Sequence, residues 1–179
     1  KARALKENIL RKMGRVLEAE ELHKESLKID PLYDRQPEKI NHNTLLELMI
    51  DLYEAGDYAQ GIALAKKWVE QQNVSRQEDI YPLVYYYIAY GYQNLYRKEN
   101  TKQTNHYMTA YVTLGENAVA DGCFPHRTED YIVLKSLADD YYLDMVYYYL
   151  GCLLYDRRAY GEAIADYEEA ALRYPDFPT

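Results

Sequence analysis

The stretch Asp144–Pro175 reads DMVYYYLGCLLYDRRAYGEAIADYEEAALRYP, and its spacing decides the fold. Large residues recur at helical intervals, with Tyr147, Leu150 and Leu154 in the first half and Tyr167 in the second. Between them stand three small residues, Gly151, Ala163 and Ala170. Apolar positions three and four apart place one face of each half against a neighbour, so the stretch predicts two helices either side of a turn at Arg157-Arg158. The small residues let the two helices approach closely, and the large ones fill the remaining space. Pro175 has no backbone donor and cannot continue the second helix.

Tyr147, Leu150, Gly151, Leu154, Ala163, Tyr167, Ala170 and Pro175 together resemble the tetratricopeptide repeat, a helical hairpin of about 34 residues with an aromatic, a Leu-Gly pair, later small residues and a closing proline. The resemblance implies stacked helical hairpins with a concave binding groove and no active site. The alternative is a pair of unrelated amphipathic helices in a bundle.

The same spacing recurs along the chain. Gly14, Ala19 and Pro31 repeat the mutual spacing of Arg158, Ala163 and Pro175, with Lys6-Glu7 where Leu-Gly belongs, so the first hairpin (1–31) is degenerate or trimmed. Residues 32–40 carry Pro37 in a polar run and read as a connector. A second hairpin over 41–73 has Gly56-Asp57-Tyr58 in its turn, with Trp68 in a small-residue slot and Ala65 in the aromatic one. A third begins at Pro82, where Val84-Tyr85-Tyr86-Tyr87 repeats Val146-Tyr147-Tyr148-Tyr149 letter for letter. Its turn is expanded by the polar run RKENTKQ, an expected loop over 97–104, and its second helix resumes around Asn105 and runs to Ala118, in a repeat spanning 82–120. Gly122 and Pro125 mark a break, after which Thr128 is placed to cap an extra helix over 128–138, with Glu129 and Asp130 favourable in its first turn. The fourth hairpin is 144–175. The expected fold is all-α, a solenoid of about four hairpins and about nine helices, in a single domain spanning 1–179.

Composition agrees with helix. Hydrophobic residues make up 48%, with 22 tyrosines against two phenylalanines and one tryptophan, and glycine and proline are few. A net charge of −8 argues against a nucleic-acid partner, which needs a basic stripe. The basic cluster from Lys1 to Arg15 reads as a solvated helix face. No run of 18 apolar residues marks a membrane span, and no signal peptide is visible. The chain starts without methionine and stops where another hairpin would begin, so a fragment of a longer protein is expected. Cys123 and Cys152 do not make a disulfide framework, and a reducing, cytoplasmic setting is the expectation.

A narrower resemblance rests on PLVYYYIAYGY, GCFPHRTEDYIVLKSL and YYYLGCLLYDRRAYGEAIADYEEA. These are similar to the helical tail of a bacterial family of large proteins whose N-terminal part is a mutarotase-like β-sandwich of unknown function. That resemblance implies an accessory domain of a carbohydrate-active protein and transfers no catalytic residue.

Reactive chemistry is sparse. Cys123 and His126 form half a zinc site at most, with no second half nearby. No phosphate loop, nucleophilic triad or dinucleotide turn is present, so no catalytic residue, metal or cofactor is expected. Asp139-Asp140 and Glu168-Glu169 read as solvated charges. The tyrosines are the candidate binding residues. In the tetratricopeptide family the first helix of each hairpin lines the groove through its second, fifth, ninth, twelfth and thirteenth positions. The resemblance then implies Leu83, Tyr86, Tyr90, Gln93 and Asn94 in the third hairpin, and Met145, Tyr148, Cys152, Tyr155 and Asp156 in the fourth. In the second it implies Asn43, Leu46, Ile50, Tyr53 and Glu54. A tyrosine offers an apolar face and a hydrogen-bonding tip at low entropic cost, which suits a peptide or a sugar. The competing reading is that these rings are packing between hairpins, since adjacent members of a tyrosine triplet must face different ways. The expected function is an interaction module for a peptide or a neighbouring domain. Carbohydrate contact and self-association through open solenoid ends are the alternatives.

Overall fold

The computed structural model describes residues 6, 9–10, 13–15, 17–19, 21–22, 41–72, 80–96, 102–118, 124–140 and 143–173. The fold is all-α, and the regular elements among these residues are helices. The chain divides into two compact units, Lys1–Asn73 and Val74–Thr179, where the sequence reading has one continuous domain. Most of the expected first hairpin, its connector, Cys123 and Pro175 lie outside the described residues.

In the first unit, α1 (His42–Glu54) and α2 (Tyr58–Gln71) form one hairpin. Asn41 opens α1 by accepting from the Thr44 amide at 2.9 Å, and Asp57 opens α2 by accepting from the Gln60 amide at 3.2 Å. Leu45, Leu46, Met49 and Tyr53 are the buried residues of α1, and Gly61, Ile62, Ala65 and Trp68 those of α2. Gly61 sits directly under the Tyr53 ring, where a Cβ would overlap it.

The second unit holds α3 (Pro82–Leu95), α4 (Lys102–Glu116), α5 (Thr128–Asp140), α6 (Asp144–Asp156) and α7 (Tyr160–Arg173). α3 pairs with α4 and α6 pairs with α7, giving two hairpins. α5 is the extra helix, and it packs against both α3 and α6. Two boundaries differ from expectation. α4 begins at Lys102, inside the expected loop, because Lys102 and Gln103 are good helix formers and extend the helix toward its N-terminus. α5 runs to Asp140, two residues past the expected end, with Lys135 and Asp139 paired across one turn at 3.0 Å.

Three turns share one backbone. Gly14, Gly56 and Arg158 have φ of 71°, 80° and 62°. In each case the next residue donates its amide to a carbonyl five residues back: Arg15 to Leu10 at 2.9 Å, Asp57 to Leu52 at 2.8 Å and Ala159 to Leu154 at 2.9 Å. This is a helix ending on a left-handed residue, with otherwise orphaned carbonyls satisfied. The correspondence of Arg158 with glycine, read from sequence spacing, is therefore also a correspondence of conformation. Arg158 bears the cost of a side chain there.

Small-against-aromatic packing also recurs. A Cβ on Gly115 of α4 would lie 2.6 Å from Tyr86 Cε1, and one on Gly151 of α6 would lie 2.6 Å from Tyr167 Cδ1. In the last hairpin the glycine stands on the first helix and the ring on the second. In the two earlier hairpins, Gly61 with Tyr53 and Gly115 with Tyr86, the order is reversed.

Candidate functional site

α3 is the centre of the second unit. Every residue from Ile80 to Ala89 is buried, so the helix is covered on all sides. Identical letters thus meet different surroundings. Tyr85, Tyr86 and Tyr87 are all buried, whereas of Tyr147, Tyr148 and Tyr149 only Tyr149 is. Burial pushes the Tyr85 hydroxyl up to about 12, and raises Tyr87 further, with the Asp130 carboxylate adding to the effect.

Two carboxylates hold this centre, Glu116 half-buried and Asp130 fully buried. Glu116, at the end of α4, accepts from the Tyr86 hydroxyl at 2.7 Å through Oε1. Its Oε2 accepts from the backbone amides of Asp144 and Met145 at 2.9 and 3.0 Å. α6 opens at Leu143, which has no capping side chain, so Glu116 caps the helix from a different hairpin. Burial raises the Glu116 carboxyl above its ordinary range, opposed by these three hydrogen bonds. Asp130 of α5 is fully buried. It accepts from the Tyr87 hydroxyl at 2.8 Å and from the amides of His126 and Arg127 at 3.0 and 2.9 Å. The Arg127 guanidinium stands 3.7 Å from the same carboxylate. Asp130, at the third position of the helix, therefore reaches back to the residue before it, as in half of a capping box. Thr128, expected as the cap, is instead the first helical residue, and its Oγ1 accepts from Arg157 at 3.4 Å.

Eight of the groove positions, the polar and aromatic Tyr53, Tyr86, Tyr90, Gln93, Asn94, Tyr148, Tyr155 and Asp156, separate under this geometry. Tyr86 is fully buried, with its ring over Gly115, its hydroxyl on Glu116 and its edge toward Tyr149 at 6.2 Å between centroids. It is a core residue here, and its assignment to an open groove is corrected. Tyr53 is likewise buried, against Gly61 and 5.1 Å from the Tyr58 ring. Gln93 is half-buried and accepts from Ser136 of α5 at 2.9 Å, so the added helix covers a position counted as groove-facing. Tyr90 and Asn94 are half-buried on α3, and the Asn94 amide donates to the Tyr90 carbonyl at 2.9 Å. Tyr148 is half-buried, 6.0 Å from the Tyr167 ring, and burial raises its hydroxyl, with Cys152 the next cause. Tyr155 and Asp156 are exposed at the end of α6. The positions open to a ligand are thus the half-buried Tyr90, Asn94 and Tyr148 and the exposed Tyr155 and Asp156.

A second aromatic feature escaped the sequence reading. The rings of Tyr96, Tyr107 and Tyr111 lie nearly parallel to Tyr92, at 6.2, 5.2 and 5.8 Å with interplanar angles of 8°, 13° and 20°. Tyr92 is buried within the stack and Tyr107 is exposed at its margin. Tyr92 on α3 and Tyr96 just after its end are four residues apart, and so are Tyr107 and Tyr111 on α4. That pairing of i and i+4 tyrosines was the available signal.

Among the described residues no group of three or more His, Cys, Asp or Glu side chains is placed to hold a metal ion, and no helix is long and apolar enough to cross a membrane. Comparison with family models, with curated proteins and with solved structures gives no match.

Proposed function

We propose that this chain is a non-catalytic interaction module built from hairpins of the tetratricopeptide type. Its occupant is an extended peptide segment or a neighbouring domain, held by Tyr148, Tyr155 and Asp156 of α6. The observation that carries this reading is the repeated turn at Gly14, Gly56 and Arg158, because hairpin turns of recurring geometry are what a repeat-built binding surface is made from. The two acids support the same reading. Glu116 and Asp130 each accept from three hydrogen-bond donors, spent on caps and on a tyrosine. An open tyrosine edged by a carboxylate suits a segment that carries apolar side chains and a donor.

The stacked tyrosines of α3 and α4 favour a second reading, in which an exposed ring margin at Tyr107 meets the apolar face of a sugar. A Tyr148→Ser, Tyr155→Ser pair and a separate Tyr107→Ser variant distinguish the two. Each is screened against a peptide array and a glycan array beside the unchanged chain. Loss of peptide signal in the first variant supports the peptide reading. Loss of glycan signal in the second supports the sugar reading. Binding unchanged in both removes these surfaces from the function.

A further inference from the structure

The outward face of α7 is largely apolar. Tyr160, Ile164 and Leu172 are 51%, 56% and 78% exposed, and Gly161 and Ala165 between them are exposed as well. Nothing lies within 4 Å of where a Gly161 Cβ would stand. Glu168 is the exposed acid among these residues, Glu162 is exposed beside them near the start of the helix, and Arg158 stands in the turn before it. The two arginines of that turn differ. Arg157 is engaged within its own unit, on Thr128 at 3.4 Å and over the Tyr131 ring at 5.9 Å. Arg158 is exposed, and no described residue pairs with its side chain or with that of Glu168. Arg158 also holds a left-handed conformation that glycine adopts in the two equivalent turns. A side chain kept at such a position points to a use for it.

We propose that α7 is a self-association surface, on which a second copy of this chain packs its own α7 in the antiparallel sense about a two-fold axis level with Ala163. Residues equidistant from Ala163 then face each other across the axis. Arg158 meets the partner's Glu168, and the reverse, so one exposed pair becomes two interfacial ion pairs. Gly161 meets the partner's Ala165, and two small residues at each crossing let the backbones approach closely. The chain's own charge pattern specifies the second copy: an antiparallel pair satisfies both unpaired charges, whereas a parallel pair sets Arg158 beside Arg158. One helix pair is about 21 Å long for fourteen residues, which places the contact at the small end of specific interfaces and the affinity in the range of a reversible dimer. This inference does not depend on how α6 binds a ligand.

The test is sedimentation velocity on the 179-residue chain over a dilution series, with circular dichroism confirming that each variant keeps its helix content. The unchanged chain is expected to shift from monomer to dimer with concentration. Arg158→Glu and Glu168→Arg are each expected to weaken the dimer tenfold or more, because each sets like charges opposite one another twice. An equimolar mixture of these two variants is expected to recover a heterodimer near the original affinity, since both cross-pairs are then opposite in sign. A chain monomeric at every concentration overturns the proposal. So does a dimer indifferent to either charge reversal, or a mixture that fails to recover.

Discussion

Replacing Glu116 tests how the two hairpins of the second unit are joined. Glu116→Ala removes the acceptor of the buried Tyr86 hydroxyl and of two amides at the start of α6. A buried donor left without a partner costs about 1–3 kcal/mol, and loss of a helix cap costs about 1 kcal/mol. The variant should therefore lose roughly 2–4 kcal/mol. Glu116→Gln keeps the shape and one carbonyl for the two amides, turns its NH2 toward the Tyr86 oxygen and removes a charge that burial disfavours. Its loss at neutral pH should be about 1 kcal/mol or less. The pH dependence has a definite sign. Burial raises the folded-state pKa of Glu116, so the folded protein binds the proton more readily than the unfolded chain. Stability from this group is fully present below the unfolded value, roughly 4.3, and is lost as pH rises through the higher folded value. Asp166, also raised by burial, contributes in the same direction. The difference between the unchanged chain and Glu116→Gln isolates Glu116. Urea unfolding of both chains from pH 4 to 7 should show the unchanged chain gaining on the variant as pH falls. A gain in the other direction, or an alanine variant no less stable than the glutamine one, refutes the assignment of Glu116 as a cross-hairpin cap.

Asp130→Ala breaks a fully buried, three-donor carboxylate site and should cost about 3–5 kcal/mol by chemical denaturation. Gly115→Ala should destabilise by about 1–3 kcal/mol because its new methyl meets the immobile Tyr86 ring, overriding the helix-propensity gain of about 1 kcal/mol. Gly161→Ala, whose methyl enters open space, should instead raise the melting temperature of the monomer, with a gain of about 0.5 kcal/mol. Arg158→Gly should stabilise the monomer by roughly 1 kcal/mol through relief at φ 62°, while weakening the dimer. A simple loss of folding at Arg158→Gly would not produce those opposite signs.

The hairpin at 144–173 and the one at 41–72 were legible because small and large residues alternate there at helical spacing and glycine or its stand-in marks the turn. The turn equivalence of Gly14 and Arg158 was read from spacing alone and holds in backbone angle. The expected loop over 97–104 was too long because polarity was taken for irregularity, although Lys102 and Gln103 suit a helix as well as a loop. Tyr86 differs from the expectation for another reason, and Gln93 is half-buried against α5 for the same one. Counting groove positions assumes that first helices lie side by side with one face open, and α5 lies against α3 instead. Ser136 and Asp130 on α5 were the signs of that contact, but a polar residue on a helix reads as solvated until its partner is known. Glu116 was unreadable for the same reason, since the amides it caps are 28 and 29 residues away.

The exchange of glycine and tyrosine between the helices of different hairpins has a consequence for how the chain avoids confusing its own parts. Tandem repeats of like sequence invite exchange of elements between neighbours during folding. Here the α6 helix brings a glycine that needs a ring from α7, whereas α1 and α3 bring rings that need a glycine from their second helices. Docking α6 on α2 or α4 would leave glycine facing glycine over a void, and docking α1 or α3 on α7 would set ring against ring. The near-identical tyrosine runs at 84–87 and 146–149 therefore sit on helices that are not interchangeable, and a first helix exchanged between these two hairpins would carry the wrong half of the lock.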